Sequence, residues 1–201
     1  DVNLRGADLL DEQDKQSLLS PFAGQCFDAG RIQALMAAIT QHYIERGFTT
    51  TRAYLPAQNL ATGQLQILVQ EGRIEAFRVE GDPAGRINLR WAVPAAPGDL
   101  LNIRQLEQAV DQINAVPGNK VKMDIVPGSV PGKSVVVFRN QASKPVTLQL
   151  SADNHGTEAT GVNGMSANLS VGSLLGLNDT LSIDPFTRIL KLNYNEVSSR
   201  L

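Results

Sequence analysis

This sequence lacks most of what would announce a chemistry. It has one cysteine, Cys26, so no disulfide can form within the chain; a lone thiol fits a reducing compartment or an exported protein that avoids thiols. It has no basic excess: the formal net charge is -2 and lysine and arginine are scattered. That removes the electrostatic case for nucleic acid and for a membrane-surface patch. No apolar run approaches the ~20 residues of a transmembrane helix. No basic-then-apolar signal opens the chain, and "DVNLRGADLL" begins at once with strand-like residues, so further sequence upstream is expected.

Reactive groupings are missing too. The two histidines, His42 and His155, have no third ligand at metal spacing. Cys26 precedes a helix without a local motif and reads as a half-buried loop residue rather than a nucleophile. Asp8, Asp11, Glu12 and Asp14 lack the spacing and glycine of a calcium loop, and "GDPAGR" lacks that of a phosphate cradle. We expect no enzyme, no metal and no cofactor.

What is present is globular, with 42% apolar and 19% charged residues. In "DAGRIQALMAAITQHYIERGF" Ile32, Leu35, Met36, Ile39 and Tyr43 form one helical stripe, with Asp28 placed to cap it and Gly47 to stop it. A shorter helix, "DEQDKQSLLSPF", precedes it. "TTTRAYLPAQ" and "QLQILVQEG" follow as strands; in the second, Leu65, Ile67 and Val69 alternate with glutamines and Leu68. Residues 1–72 therefore read β-α-α-β-β. The order then repeats: "FRVEGD" echoes "VNLRGAD", with Gly6 and Gly81 in matching places. "GRINLRWAVP" and "NIRQLEQAVDQINAV" supply two helices, the second with Ile103, Leu106, Val110 and Ile113 on one face. "KVKMDIVPG" and "VPGKSVVVFRN" supply two strands.

The run from Tyr43 to Gly81 carries a resemblance. Tyr43, Arg46-Gly47-Phe48, Tyr54-Leu55-Pro56 with Gln58, Gly63 and Glu71-Gly72 resemble the first POTRA domain of two-partner-secretion outer-membrane transporters of the hemolysin-activator type; Gly24 and Cys26 fall where that family often has Gly-x-Cys. Residues 73–140 resemble a second POTRA domain more loosely, and "TGVNG" and "LLGLNDTLSI" resemble the family's first barrel strands. The resemblance implies a Gram-negative outer-membrane β-barrel with two periplasmic POTRA domains. These capture an unfolded exported adhesin or hemolysin and pass it to the pore, driven by folding of the partner outside rather than by a nucleotide.

The end of the chain fits barrel strands, which face lipid on one side and a wet lumen on the other and need ~9–11 residues to cross. Val146, Leu148, Leu150 and Ala152 alternate with Thr147, Gln149, Ser151 and Asp153; Met165, Ala167, Leu169 and Val171 alternate with Ser166, Asn168 and Ser170; Leu181 and Ile183 oppose Thr180, Ser182 and Asp184. A soluble sheet with one wet face alternates in the same way, but nothing later in the sequence remains to cover the apolar face. The family's complete barrel has many more strands than this chain has room for, and its inward loop, plug helix and linker are missing. Residues 185–201 read as a strand cut short, a later segment or foreign sequence.

The expected fold class is thus α+β: tandem POTRA domains at 1–72 and 73–140, then antiparallel strands of an incomplete outer-membrane β-barrel at 141–201. If the last strand of each unit pairs between the other two, the middle strand lies at the sheet edge, where an extended peptide can add through backbone hydrogen bonds. That makes Thr50, Thr51, Arg52, Ala53 and Tyr54 in one unit, and Lys120, Val121, Lys122, Met123 and Asp124 in the other, the candidate partner-binding residues. The expected partner is an unfolded secreted protein, with the outer membrane holding the strands and no nucleic acid. The rival readings are a POTRA module of a barrel-assembly protein and a soluble periplasmic scaffold.

Overall fold

The computed structural model describes residues 2–24, 27–60, 63–154 and 163–189. Cys26, His155 and residues 190–201 lie outside the described residues, as do the expectations that fell on them.

The chain starts with β1 (Val2–Arg5), α1 (Glu12–Leu19), α2 (Ala29–Glu45), β2 (Arg52–Tyr54) and β3 (Leu65–Gln70). Both helices start at aspartates in extended backbone conformation: the Asp11 carboxylate accepts from the Asp14 N–H at 2.7 Å, and Asp28 accepts from the Arg31 N–H at 2.8 Å. Each satisfies an N–H that a first helical turn leaves unpaired. α1 runs into a 3-10 turn, Ser20–Phe22, that contains Pro21. α2 ends at Arg46, and Gly47 takes a left-handed φ of +93°. The stripe expected on α2 is the buried one: Ile32, Leu35, Ile39 and Tyr43 lie in one core with Leu65, Ile67 and Val69 of β3, and Met36 packs at its margin. Each fully buried side chain of this kind contributes about 1.5–3 kcal/mol.

The order recurs as β4 (Arg73–Glu80), α3 (Leu89–Ala92), α4 (Ile103–Asn114), β5 (Val121–Pro127) and β6 (Lys133–Asn140). The first helix of this repeat is a single turn, and the buried stripe of α4 differs from the expected one. Leu106, Ala109 and Ile113 are its buried residues, while Ile103 and Val110 are half-buried flanks. Small Ala109 takes the centre of that stripe, a place that counting large apolar residues overlooks. In each repeat the sheet order puts the last strand between the other two, β1-β3-β2 and β4-β6-β5. β1 pairs parallel with β3, β2 antiparallel with β3, and β4 parallel with β6 across a bulge between Ile74 and Ala76. Gly6 and Gly81 confirm the duplication in atomic detail. Both take left-handed φ, +73° and +77°, just past the first strand. A Cβ would stand 2.5 Å from the Val69 carbonyl oxygen at Gly6 and against the Asn140 carbonyl oxygen at Gly81.

The third sheet contains β7 (Val146–Asp153), β8 (Asn163–Gly172), β9 (Thr180–Ile183) and β10 (Phe186–Ile189), all antiparallel to their neighbour. β7 runs along one side of β8. On its other side β9 pairs with Leu169–Gly172 and β10 with Asn163–Ser166. β10 is therefore the continuation of β9 past Pro185, whose carbonyl accepts from the Ala167 N–H at 3.1 Å. "PFTRI" belongs to the same strand as "TLSI", where the alternation alone left it unassigned.

Backbone contacts group residues 1–80, 93–111 and 122–139 into one compact unit and 81–92, 112–121 and 140–201 into another. Within the first unit, the carbonyl end of α2 is capped from the start of α4. The Arg46 carbonyl accepts from Asn102 Nδ2 at 3.1 Å, the Gly47 carbonyl from the Ile103 N–H at 2.9 Å, and the Glu45 carbonyl from the Arg104 guanidinium. Helix C-terminal carbonyls need such donors, so the two repeats are joined by groups that each would otherwise leave open.

Candidate binding edges and the uncovered sheet

Strand order leaves β2 and β5 at sheet edges, the outcome expected if the last strand pairs between the other two. The candidate residues divide by burial. Thr51 and Val121 are buried; Arg52, Tyr54, Lys120, Lys122 and Asp124 are exposed; Thr50, Ala53 and Met123 are intermediate. Tyr54 stands directly across from Leu68 on the outer face of the first sheet, and both are large exposed apolar side chains. Asp124 is bound to the Arg139 guanidinium at 2.8 Å, and Arg139 also holds Glu80 at 3.0 Å.

Side chains occupy parts of both edges. Beyond Tyr54, Gln58 substitutes for a strand residue: its amide accepts from the Gln66 N–H at 2.8 Å and donates to the Gln66 carbonyl at 2.7 Å. On β2 itself, the Ala53 N–H donates to Thr40 Oγ1 of α2 at 3.3 Å, the Thr51 N–H donates to the Phe48 carbonyl at 3.2 Å, and the Arg52 guanidinium donates to the Thr49 and Thr51 carbonyls, each at 2.7 Å. On β5, Asn114 of α4 accepts from the Val121 N–H at 2.6 Å and donates to the Val121 carbonyl at 3.0 Å. None of Gln58, Thr40 or Asn114 could be found by periodicity, because each acts through an amide or hydroxyl group that only the fold brings to the strand.

A buried carboxylate, Glu71, ties the first repeat together. Its Oε1 accepts from Tyr43 Oη and from the Leu9 N–H, both at 2.8 Å, and Arg73 lies 3.8 Å from Oε2. Burial, then the hydrogen bond and charge of Glu71, push the Tyr43 phenol far above its ordinary pKa. This is a structural cluster, with no open approach for a reactant. Among the described residues no group of histidine, cysteine and carboxylate side chains could hold a metal ion, and no helix is long and apolar enough to cross a membrane.

The third sheet separates its faces in register. Leu148 pairs with Leu169 and that with Ile183; Val146 pairs with Val171 and that with Leu181. All but the half-buried Val171 are exposed even though apolar, Leu148 to 63%, and Leu150 on the same strand is 73% accessible. The opposite face is a hydrogen-bonded polar ladder, Ser151 with Ser166 at 2.6 Å, Ser170 with Ser182 at 3.0 Å, and Asn168 with Asp184. An uncovered apolar face beside a satisfied polar one is the arrangement of a strand between lipid and water.

Two β-α-α-β-β units with the last strand central, followed by strands of this kind, define the class of POTRA-bearing outer-membrane proteins. Residues 1–72 match the family model "POTRA domain, ShlB-type", residues 73–127 match "POTRA domain", and residues 132–199 match "Haemolysin secretion/activation protein ShlB/FhaC/HecB". The chain belongs to this family of two-partner-secretion transporters. It is 34% identical over 179 residues to the outer membrane transporter CdiB of Dickeya dadantii (strain 3937), covering 89% of this chain and 32% of that protein. To the hemolysin transporter protein HpmB of Proteus mirabilis it is 36% identical over 183 residues, covering 91% and 32%. The solved structure of CdiB from Escherichia coli superposes with a TM-score of 0.82 at 35% identity, over 91% of this chain and 34% of that one. The chain spans about a third of the length of the curated relatives it matches. These relatives are transporters by name, not enzymes.

Proposed function

We propose that this chain is the recognition part of an outer-membrane transporter. Residues 1–72 and 73–140 act as periplasmic POTRA domains that capture an unfolded exported protein of the adhesin or hemolysin type. Residues 141–201 are the first strands of the barrel that receives it. The reading rests chiefly on one observation: two sheets with their middle strands at the edge precede a sheet whose apolar face is uncovered. An edge strand offers backbone donors and acceptors to any extended chain, which suits a client recognised before it folds. An apolar face without cover finds its partner in lipid, where strands persist only if the sheet closes with further strands.

The test is backbone NMR of the whole chain in detergent micelles, titrated with the N-terminal secretion domain of a hemolysin-type partner held unfolded. Shift changes over residues 49–55 or 119–126 are expected. Changes confined to the helices move the site off the edges, and no change with any unfolded partner overturns capture.

A further inference from the structure

The two candidate edges are not equally open, and the difference can be read group by group. In a strand, the N–H and C=O of one residue point to the same side, and successive residues alternate sides. On β5 three contacts fix which residues face inward. The Lys120 N–H donates to Asn140 Oδ1 at 2.9 Å, the Lys120 carbonyl accepts from the Gln141 N–H at 3.0 Å, and the Gly128 N–H donates to the Lys133 carbonyl at 2.9 Å. Even-numbered residues from Lys120 to Gly128 therefore pair toward β6, and Val121, Met123, Ile125 and Pro127 present their backbone outward. Asn114 takes both outward groups of Val121. Pro127 has no N–H to give. What remains between them is a window of two residues, Met123 and Ile125.

On β2 the same accounting leaves little. Thr51 and Ala53 face outward, and the Thr51 N–H, the Thr51 carbonyl and the Ala53 N–H all have partners within the chain. Of these outward groups the Ala53 carbonyl is left. The charges beside the two edges differ as well. Lys120 and Lys122 are exposed beside the β5 window, and the carboxylate on the strand itself, Asp124, is paired with Arg139, which it shares with Glu80. Beside β2, the Arg52 guanidinium is folded back onto backbone carbonyls.

We infer that the strand-addition site is the β5 edge, with Met123 and Ile125 supplying the backbone groups and Lys120 and Lys122 selecting an extended client segment that carries carboxylates. This rests on the proposed capture of an unfolded client and names where and what it captures. Asn114 and Pro127 then act as stops that fix the register, since an added strand finds an open donor and acceptor on the same residue only between them. Lysine and proline at an edge also discourage indiscriminate pairing between copies of the chain. The same device therefore admits a charged client and rejects another neutral strand.

The experiment uses the whole chain in detergent and three probes: the unfolded secretion domain, a short peptide alternating glutamate and valine, and one alternating lysine and valine. Amide exchange is followed by NMR. In the free chain the Met123 and Ile125 amides should exchange much faster than those of Lys122 and Asp124. The secretion domain and the glutamate peptide should slow them roughly tenfold or more, leaving Ala53 unchanged. Lys122→Glu should weaken the glutamate peptide and favour the lysine peptide. Ile125→Pro removes one outward donor and should weaken both acidic probes; a dispersed amide spectrum checks that it folds, and Lys122→Glu carries the test if it does not. Protection on Ala53 or on Val2–Arg5, with Met123 and Ile125 unaffected, overturns the inference while edge capture survives. Equal binding of the two peptides overturns the acidic client. No binding of the secretion domain to the unaltered chain overturns capture itself.

Discussion

Asn178 and Asn88 are locked together by two hydrogen bonds: the Asn178 side chain accepts from the Asn88 N–H at 2.9 Å and donates to the Asn88 carbonyl at 2.7 Å. Asn88 lies just before α3 and Asn178 in the turn between β8 and β9, so one side chain fixes that turn to the second repeat. Ser173 at the start of the turn adds a bond from its Oγ to the Arg86 carbonyl at 3.2 Å. Asn178 sits at a left-handed φ of +57°, a conformation asparagine tolerates better than most residues.

Replacing Asn178 should therefore act twice, and two variants separate the effects. Asn178→Gly keeps the backbone comfortable and loses the pair of bonds, each contributing about 1 kcal/mol. Asn178→Ala loses the bonds and adds roughly 1–2 kcal/mol of left-handed strain. Amide exchange at Asn88 should accelerate in both, more in Asn178→Ala. Equal protection in the variants and the parent would show that the contact does not hold the turn.

Asp179 organises the interior of the same turn, accepting from the N–H groups of Leu174, Leu175 and Leu177 at 3.0 to 3.2 Å. Partial desolvation works to raise its pKa, but the donors at Leu177, Leu175, Asp179 and Leu174 outweigh it and hold the carboxyl below the usual aspartate value. A lowered folded-state pKa means that the stabilisation is complete above the unfolded value and disappears as pH falls through the folded one. The Leu175 amide should lose protection in that acid window, and Asp179→Asn should show no such acid step.

Tyr43→Phe removes one of the two hydrogen bonds to the buried Glu71 Oε1. A bond to a charged group contributes about 1.5–3 kcal/mol, and denaturant unfolding of the variant should show a loss of that order. The phenol pKa is raised, so its stabilising contribution is complete below the unfolded tyrosine value and is lost only as pH rises beyond it. Tyrosine absorbance of the folded chain should consequently show Tyr43 silent through the ordinary titration range. A tyrosine signal there that disappears in Tyr43→Phe would refute the buried pair.

Gly6→Ala and Gly81→Ala should behave alike, because each puts a Cβ against a carbonyl of the central strand at a left-handed φ. Strain of about 1–2 kcal/mol plus the steric conflict should lower stability in both, measured by denaturant unfolding. Gly63→Ala is the comparison: its φ is also positive, +73°, but nothing lies within 4 Å of the added Cβ, so the backbone term acts alone.

Much of this architecture is local and was therefore legible in the sequence. The α2 stripe and its Asp28 cap, the alternation of β3, the glycine pair that marks the repeat, and the two-faced strands of residues 146–183 all follow from backbone period and cap chemistry. These properties need no knowledge of distant residues. Legibility failed where size or backbone bonding decided: Ala109 lies in the α4 core because a small residue fits there, and β10 joins β9 because the Pro185 carbonyl keeps the ladder in register across the break.

The candidate edges divide along the same line. A middle strand becomes an edge when the last strand inserts between the others, so β2 and β5 were the expected edges on that one condition, which the strand order meets. How open each edge is depends on Thr40, Gln58, Arg52 and Asn114, polar side chains whose spacing has no period and whose targets are backbone groups up to 13 residues away. A hydrogen bond of this kind exists only when folding brings donor and acceptor within about 3 Å. The sequence determined that there would be edges; only the tertiary structure decided that β2 is nearly closed and β5 open over Met123 and Ile125.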